Sequence, residues 1–156
     1  DRGYTVMAAE IIQEMVHVPS HIYLQAGVGG MAGAMAACFR NAWGDVPIIT
    51  VVEPAYAPAL TNSIVEGKFV STSGPVSDMG RLDCKEASLI ALAGLSRDAN
   101  SFVTLTEKEC LDAIKVLPKY NLDTSSSGGA GIAAMMMSDL PADARVLCIL
   151  SEGPDE

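Results

Sequence analysis

The segment Gly27-Val28-Gly29-Gly30 is the first candidate for chemistry in this chain. It follows an apolar stretch of strand character and precedes an alanine-rich stretch of helical period. A turn in this place aims backbone N–H groups and the positive end of a helix at one point, which suits an anion such as phosphate. Glycine leaves room for phosphate oxygens and permits positive φ angles. The spacing alone fits a plain turn without a ligand equally well, and it lacks the dinucleotide-binding and triphosphate-binding patterns.

A second candidate is the serine- and glycine-rich segment 125–131, which again precedes a stretch of helical period. A serine hydroxyl here could bind a heteroaromatic nitrogen without forcing a positive charge onto it, whereas an aspartate would keep that nitrogen protonated. The alternative is that a serine caps the following helix. The two roles can coexist.

Glu53 and Cys84 are weaker candidates. Glu53 follows the apolar run 48–52, and ligands of α/β proteins bind at the carboxyl ends of strands, although a solvated strand end is the favoured alternative. Cys84 has charged neighbours, Asp83 and Lys85, that could lower the pKa of its thiol. No base is identifiable beside Cys84, so a nucleophilic role is disfavoured.

The two histidines do not indicate a metal site. His17 and His21 are four residues apart, but Pro19 lies between them. Because a proline interrupts a helix, the two imidazoles cannot share one helical face as ligands. We therefore expect no bound metal.

Short apolar runs alternate along the chain with longer segments of helical period. This alternation predicts an α/β fold, a three-layer Rossmann-like parallel sheet with flanking helices. The predicted strands are 21–26, 48–52, 102–105 and 146–150, and the predicted helices are 5–16, 31–43, 55–66, 88–98, 107–117 and 130–138. The nearly continuous apolar run 48–52 predicts a central strand that is covered on both faces. Residues 71–86 read as a loop.

Several helical segments have a predicted inner face. For helix 5–16 it consists of Val6, Ala9, Ile12, Met15 and Val16. Thr106 and Glu109 form a capping box that begins the helix after the third strand. The inner stripe of that helix is Cys110, Leu111, Ile114 and Leu117. The run Met135-Met136-Met137 is interpreted as core filler.

Size and charge limit the classes of function. The chain has 156 residues, 49% of them hydrophobic, which suits one α/β domain over residues 1–156. A net charge of −9 disfavours nucleic acid and anionic membranes as partners. No apolar run is long enough to span a bilayer. Four widely separated cysteines without a C-x-x-C pair predict a reduced, cytoplasmic protein.

Taken together, several short segments resemble the diaminopropionate ammonia-lyase family. They are Gly3-Tyr4-Thr5, Leu24–Gly30, Val52-Glu53-Pro54, Leu82-Asp83-Cys84, Ser127–Gly131 and the closing Ile149–Gly153. Their order matches along nearly the whole chain. That family belongs to the fold type II, or tryptophan synthase β-like, enzymes that use pyridoxal 5'-phosphate, and single motifs here are shared with threonine dehydratases.

The resemblance implies a pyridoxal 5'-phosphate enzyme that converts 2,3-diaminopropionate to pyruvate and ammonia by α,β-elimination. It implies that Gly27, Val28, Gly29 and Gly30 hold the cofactor phosphate and that Ser127 faces the pyridine nitrogen. Glu53, Asp83 and Cys84 are the possible substrate-side residues. Members of the family are generally homodimers, so a homodimer is expected.

The resemblance also implies that this chain is the C-terminal portion of the catalytic core. The family's Schiff-base lysine and proton-moving acidic residues lie upstream of the matched region. The lysines of this chain stand in polar loops or on helix faces and do not look catalytic: Lys68, Lys85, Lys108, Lys115 and Lys119. Arg81 and Lys85 stand where the family usually has glycine. We therefore expect a missing N-terminal half or a complementary chain as partner, and an inactive chain without it.

Two alternatives remain open from the sequence. The first is a threonine or serine dehydratase-like β-eliminase, which also uses pyridoxal phosphate. The second is a non-catalytic remnant or regulatory module that keeps the fold and binds a phosphate-bearing ligand or a partner subunit.

Overall fold

A computed structural model describes residues 2–153 as a four-stranded parallel sheet with flanking helices. The strands are β1 (His21–Gln25), β2 (Ile48–Pro54), β3 (Ser101–Leu105) and β4 (Val146–Cys148), and they lie in the order β3-β2-β1-β4. All three pairings are parallel. The predicted α/β class is confirmed, and β2 has neighbours on both sides as the run 48–52 predicted.

The helices within the described residues are α1 (Arg2–Glu14), α2 (Gly30–Trp43), α3 (Ala59–Glu66), α4 (Leu89–Asp98), α5 (Glu107–Ile114) and α6 (Ala130–Met136). Single 3-10 turns occupy Gly80–Leu82 and Leu117–Tyr120. None of these helices is long and apolar enough to cross a bilayer.

The two faces of the sheet are covered by different helices. Because successive side chains of a strand point to opposite faces, Ile22 and Leu24 enter a core formed with α1, α2, α3 and α4. Tyr23 and Val52 enter a second core, which is formed with α5 and α6. The sheet is therefore the middle of three layers, and the buried β2 fits a parallel strand covered on both sides.

The chain reverses its direction across the sheet after β3. From β1 it adds β2 and then β3 on one side, whereas β4 returns to the other side of β1. Such a switch opens a crevice outside the carboxyl ends of the two strands that flank it, and ligands of α/β proteins bind there. In this chain the crevice lies after β1 and β4.

The predicted inner face of the first helix is wrong apart from Ile12. Val6 and Val16 are 56% and 88% exposed, whereas Ile12 packs against the core as predicted, together with Tyr4, Met7, Ala8 and Ile11. The helix begins at Arg2, three residues before the predicted start, and this second apolar stripe has the same helical spacing. The sequence pattern is therefore compatible with two apolar faces, and the face that was not predicted packs against α2.

Two further packing predictions need correction. In α5 the capping box of Thr106 and Glu109 is present, but Leu111 is 48% exposed and Ala113 is buried in its place. The methionine run is not core filler as a whole, because Met136 and Met137 are 42% and 55% exposed. Met136 and Met137 stand at the end of α6, whereas Leu111 lies in the middle of α5 on its outer side.

Some element boundaries also differ from the predictions. The helix predicted from residue 55 begins at Ala59, since Pro58 stands immediately before its first turn. The last helix ends at Met136, and the last strand ends at Cys148. The loop predicted over 71–86 is irregular apart from the 3-10 turn.

A candidate anion-binding site

A cavity of about 490 Å³ opens at the carboxyl ends of β1 and β4, where the topology of the sheet predicts a crevice. Its wall is formed by α1, the β1–α2 turn, the 3-10 turn Gly80–Leu82 and the segment after β4. The lining residues are Tyr4, Met7, Gln25, Ala26, Gly27, Val28, Gly29, Gly30, Met31, Ala32, Arg81, Leu82, Cys84, Ser151 and Glu152. The structure thus brings all four residues of the predicted phosphate turn to one cavity.

The β1–α2 turn, which lines this cavity, contains unpaired backbone donors. Within residues 2–153 the N–H groups of Gly27, Gly29 and Gly30 have no protein acceptor. Gly30 begins α2, whose first turn contributes the positive end of the helix. Free N–H groups beside a helix start form an anion-binding arrangement.

Gly29 gives the turn its shape. Its φ of 98° lies in the left-handed region, which side chains rarely adopt. A Cβ atom at this position would also stand 3.0 Å from the Cβ atom of Ala91 and 3.2 Å from Leu60 Cδ1. By contrast, a Cβ atom on Gly30 would meet nothing within 4 Å. The close packing at Gly29 therefore sets how β1 passes into α2.

Cys84 lines the cavity, but its thiol is not activated. Burial raises the pKa of Cys84, and the negative charge of Asp83 raises it further, against smaller lowerings by the backbone of Val28 and the charge of Lys85. The expected lowering by a charged neighbour is therefore present at Lys85 but is outweighed, and the pKa is raised overall. A thiol with a raised pKa stays protonated near neutral pH and is a poor nucleophile.

Asp83 belongs to the frame of the neighbouring loop and does not line the cavity. The Nζ atom of Lys85 lies 2.6 Å from the Asp83 carboxylate and donates to the carbonyls of Tyr56 and Pro75, each at 2.8 Å. The hydrogen bond from Lys85 lowers the pKa of Asp83. This lysine therefore fastens the loop to the turn after β2.

Glu53 is also absent from the cavity wall. It is fully buried, and its carboxylate accepts hydrogen bonds from the backbone of Leu60 (2.8 Å) and from the backbone and hydroxyl of Thr61 (2.7 and 2.6 Å). Burial raises the pKa of Glu53 despite these donors. The favoured interpretation as a solvated strand end is wrong, since Glu53 anchors the start of α3.

Ser127 lies behind the wall of the cavity. It is 4% exposed, and its hydroxyl oxygen accepts a hydrogen bond from the backbone N–H of Arg81 at 3.1 Å. Serine does not cap α6, because Gly129 occupies the capping position. Instead, Ser125 accepts from the N–H of Gly128 and donates to the carboxylate of Glu152.

Three polar residues to which the sequence assigned no role in a site lie in the wall: Gln25, Ser151 and Glu152. Gln25 is 1% exposed, and its Nε2 atom lies 3.1 Å from Ser151 Oγ. Glu152 lies 3.3 Å from the guanidinium of Arg81. The position of Gln25 at the end of an apolar strand could have indicated a buried, hydrogen-bonded carboxamide, because buried polar groups need partners.

Comparison with known proteins assigns this chain to one family. The family model of pyridoxal-phosphate dependent enzymes matches residues 1–152, and this chain belongs to that family. Among curated proteins, the diaminopropionate ammonia-lyase of Salmonella typhimurium is 29% identical over 181 residues, which cover 97% of this chain and 44% of that protein. The enzyme of the same name from Escherichia coli is 27% identical with the same coverage. This chain thus spans less than half the length of these relatives.

Solved structures show the same fold. The Escherichia coli diaminopropionate ammonia-lyase, in complex with an aminoacrylate-PLP azomethine reaction intermediate, matches with a TM-score of 0.85 at 26% identity, over 97% of this chain and 44% of that chain. Threonine deaminase isoform 2 of Solanum lycopersicum matches with a TM-score of 0.85 at 19% identity, over 99% of this chain and 46% of that chain. At that identity the second likeness shows the fold alone.

The residues present fit pyridoxal 5'-phosphate, the cofactor of the family. The unpaired N–H groups of the turn suit the phosphate, and the open space at Gly30 leaves room for its oxygens. Ser151 offers a hydroxyl elsewhere in the same wall. Within residues 2–153, no lysine lines the cavity and no group of three acidic, cysteine or histidine side chains is placed to hold a metal.

Proposed function

We propose that this chain is the phosphate-binding portion of a pyridoxal 5'-phosphate-dependent lyase that converts 2,3-diaminopropionate to pyruvate and two ammonia molecules by α,β-elimination. The observation that carries the proposal is the Gly27–Gly30 turn, whose unpaired N–H groups line a cavity at the switch point of the sheet. Similarity to two diaminopropionate ammonia-lyases over 97% of the chain supports the choice of substrate.

Each part of the cavity has a role in this proposal. Gly27, Gly29 and Gly30 hold the phosphate through unpaired backbone donors, and Val28 remains a candidate from the family resemblance. Ser127 remains our sequence-based candidate for the pyridine nitrogen, and Ser151 is a second candidate because it lines the cavity. The bound cofactor supplies the electron sink that stabilises the carbanion formed when the α-proton is removed. Among the possible substrate-side residues, Cys84 alone faces the cavity, as a protonated thiol.

We propose that the lysine that attaches the cofactor and the acidic residues that move protons lie outside this chain. Of the lysines here, Lys85 is tied to two carbonyls and Asp83, and Lys108 pairs with Asp112. An N-terminal portion or a complementary chain would complete the site, so this chain alone is expected to be inactive. We further propose that the complete enzyme is a cytoplasmic homodimer.

A dehydratase that acts on serine or threonine is the second candidate, and Arg81 favours it. The Arg81 side chain is 78% exposed at the cavity wall. The family resemblance implies glycine at this position in the ammonia-lyases. A guanidinium beside the substrate repels the second ammonium group of diaminopropionate, whereas a hydroxyl group is uncharged. Pairing with Glu152 reduces this repulsion.

The test uses the complete protein that contains this chain, with pyridoxal 5'-phosphate added. Release of keto acid and ammonia is followed with 2,3-diaminopropionate, serine and threonine in parallel. The proposal predicts the highest kcat/KM with diaminopropionate. Higher values with serine or threonine would favour the dehydratase. Cofactor binding without turnover of any of the three would favour the non-catalytic alternative.

A further inference from the structure

The side-chain nitrogen of Gln25 lies within hydrogen-bonding distance of three oxygen atoms near the cavity. Its carboxamide is 1% exposed at the end of β1. The two hydrogens of Nε2 are shared among three acceptors, the carbonyl oxygens of Ile149 at 2.9 Å and Gly128 at 3.0 Å and Ser151 Oγ at 3.1 Å. One side chain thus joins the end of β1 to the turn before α6 and to the segment after β4.

The orientation of this carboxamide follows from its partners. The carbonyl oxygens of Gly128 and Ile149 can only accept hydrogen bonds, so the nitrogen must face them and the oxygen must point away. The Oε1 atom is then buried without a hydrogen-bond partner among residues 2–153. It lies against α6, because a Cβ atom on Gly131 would come within 2.7 Å of it. An unpaired buried acceptor destabilises a fold, so its retention calls for an explanation.

The hydrogen bond from Gln25 also decides what the Ser151 hydroxyl can do. Because Ser151 Oγ accepts from Nε2, its own proton must point elsewhere, and Ser151 lines the cavity. We infer that Gln25 is a positioning residue that presents the Ser151 hydroxyl to the cavity as a donor, toward an uncharged acceptor atom of the bound cofactor. This inference rests on the proposed function.

A purely structural role of Gln25 predicts a different outcome. Loss of the carboxamide frees the carbonyls of Gly128 and Ile149 in any case, so a fall in stability does not discriminate between the two roles. If Gln25 acts on the ligand through Ser151, its effect on cofactor affinity must vanish when the Ser151 hydroxyl is removed. A double-mutant cycle measures this dependence directly.

The experiment compares the complete protein with Gln25→Met, Ser151→Ala and the double variant. The dissociation constant for pyridoxal 5'-phosphate is obtained from cofactor absorbance, and stability is measured by denaturant unfolding without cofactor. We expect each single variant to weaken cofactor binding roughly three- to tenfold, as for the loss of one neutral hydrogen bond. The double variant should bind no more weakly than Ser151→Ala, and both single variants should shift the absorbance maximum of the bound cofactor equally.

Gln25→Asn is the second variant, since it keeps a carboxamide and shortens it by one methylene, and the same non-additivity is expected. Ser63→Ala is the matched control: it removes a buried hydroxyl that donates to Ala59, away from the cavity, so it should lower stability and leave cofactor affinity unchanged. Independent, additive losses for Gln25 and Ser151 would overturn the inference alone. A wild-type protein that binds no cofactor would overturn the proposed function, and the inference with it.

Discussion

Gly27 lies directly against the backbone of Arg81: a Cβ atom on residue 27 would stand 2.8 Å from the Arg81 carbonyl oxygen. It would also approach Cys84 Sγ to 3.1 Å and Leu82 Cα to 3.2 Å. The β1–α2 turn and the 3-10 turn Gly80–Leu82 therefore contact each other through main-chain atoms. Glycine at position 27 is required for this contact, which closes one side of the cavity.

Gly27→Ala should consequently destabilise the protein and disturb the cavity. Backbone atoms cannot move aside as the end of a flexible side chain can, and overpacking of this kind costs about 1–3 kcal/mol. Denaturant unfolding measures the loss. Gly94→Ala is the matched control, because a Cβ atom there meets nothing within 4 Å in the middle of α4. It should leave stability unchanged or raise it by up to ~1 kcal/mol. Equal stability of Gly27→Ala and wild type would refute the contact.

The two faces of α4 should respond differently to the same truncation. Leu95 is fully buried in the core beneath the sheet, whereas Leu89 is 64% exposed. Leu95→Ala should lower the free energy of unfolding by about 2–5 kcal/mol. Leu89→Ala should change it by less than about 0.5 kcal/mol. Similar losses for the two variants would mean that α4 is rotated from the orientation described.

Cys110 and Cys148 should react slowly with alkylating reagents. Burial raises the pKa of Cys148 to about 12, and burial with the nearby charge of Glu107 raises that of Cys110 to about 11. Since only thiolates react, both should be alkylated very slowly at mildly alkaline pH. Mass spectrometry after timed exposure to iodoacetamide gives the rates. Rapid modification of Cys148 in folded protein would contradict its raised pKa.

Cofactor should protect one cysteine selectively. Cys84 lines the cavity and Cys38 does not, although both are partly exposed. Pyridoxal 5'-phosphate should therefore slow alkylation of Cys84 and leave the rate at Cys38 unchanged. Equal rates at Cys84 with and without bound cofactor would place the ligand outside this cavity.

Acid should remove a stabilising contribution from Asp98. Its carboxylate accepts two hydrogen bonds from Arg97, at 2.9 and 2.8 Å, and these lower the pKa of Asp98. A lowered folded-state pKa stabilises the protein above the unfolded-state pKa, and this contribution is lost as pH falls through the folded value. Because Arg97 is mostly exposed, the effect should stay below about 1 kcal/mol. Unfolding of wild type and Asp98→Asn should converge in strong acid, and a constant difference at all pH values would contradict this assignment.

The sequence predicted those features that depend on neighbouring residues. The apolar run of β2, the capping box of Thr106 and Glu109 and the glycine turn between β1 and α2 all follow from local chemistry. The family resemblance extended this to the cofactor, and the family match bears that out.

Features set by distant parts of the chain escaped prediction. The contact of Gly27 with Arg81 joins residues far apart in sequence, and so does the hydrogen bond from Gln25 to Ser151. Glu53 looked like a solvated strand end because the pattern could not show that the start of α3 folds over it. Such contacts depend on how the helices pack against the sheet, and the spacing of apolar residues in the sequence does not specify this packing.

Binding of the cofactor phosphate by the β1–α2 turn can be observed in a crystal structure of the complete protein with pyridoxal 5'-phosphate. We predict phosphate oxygens about 2.7–3.2 Å from the backbone nitrogens of Gly27, Gly29 and Gly30, within hydrogen-bonding distance. A phosphate bound elsewhere, with these nitrogens facing solvent or protein, would show that the turn does not bind the cofactor.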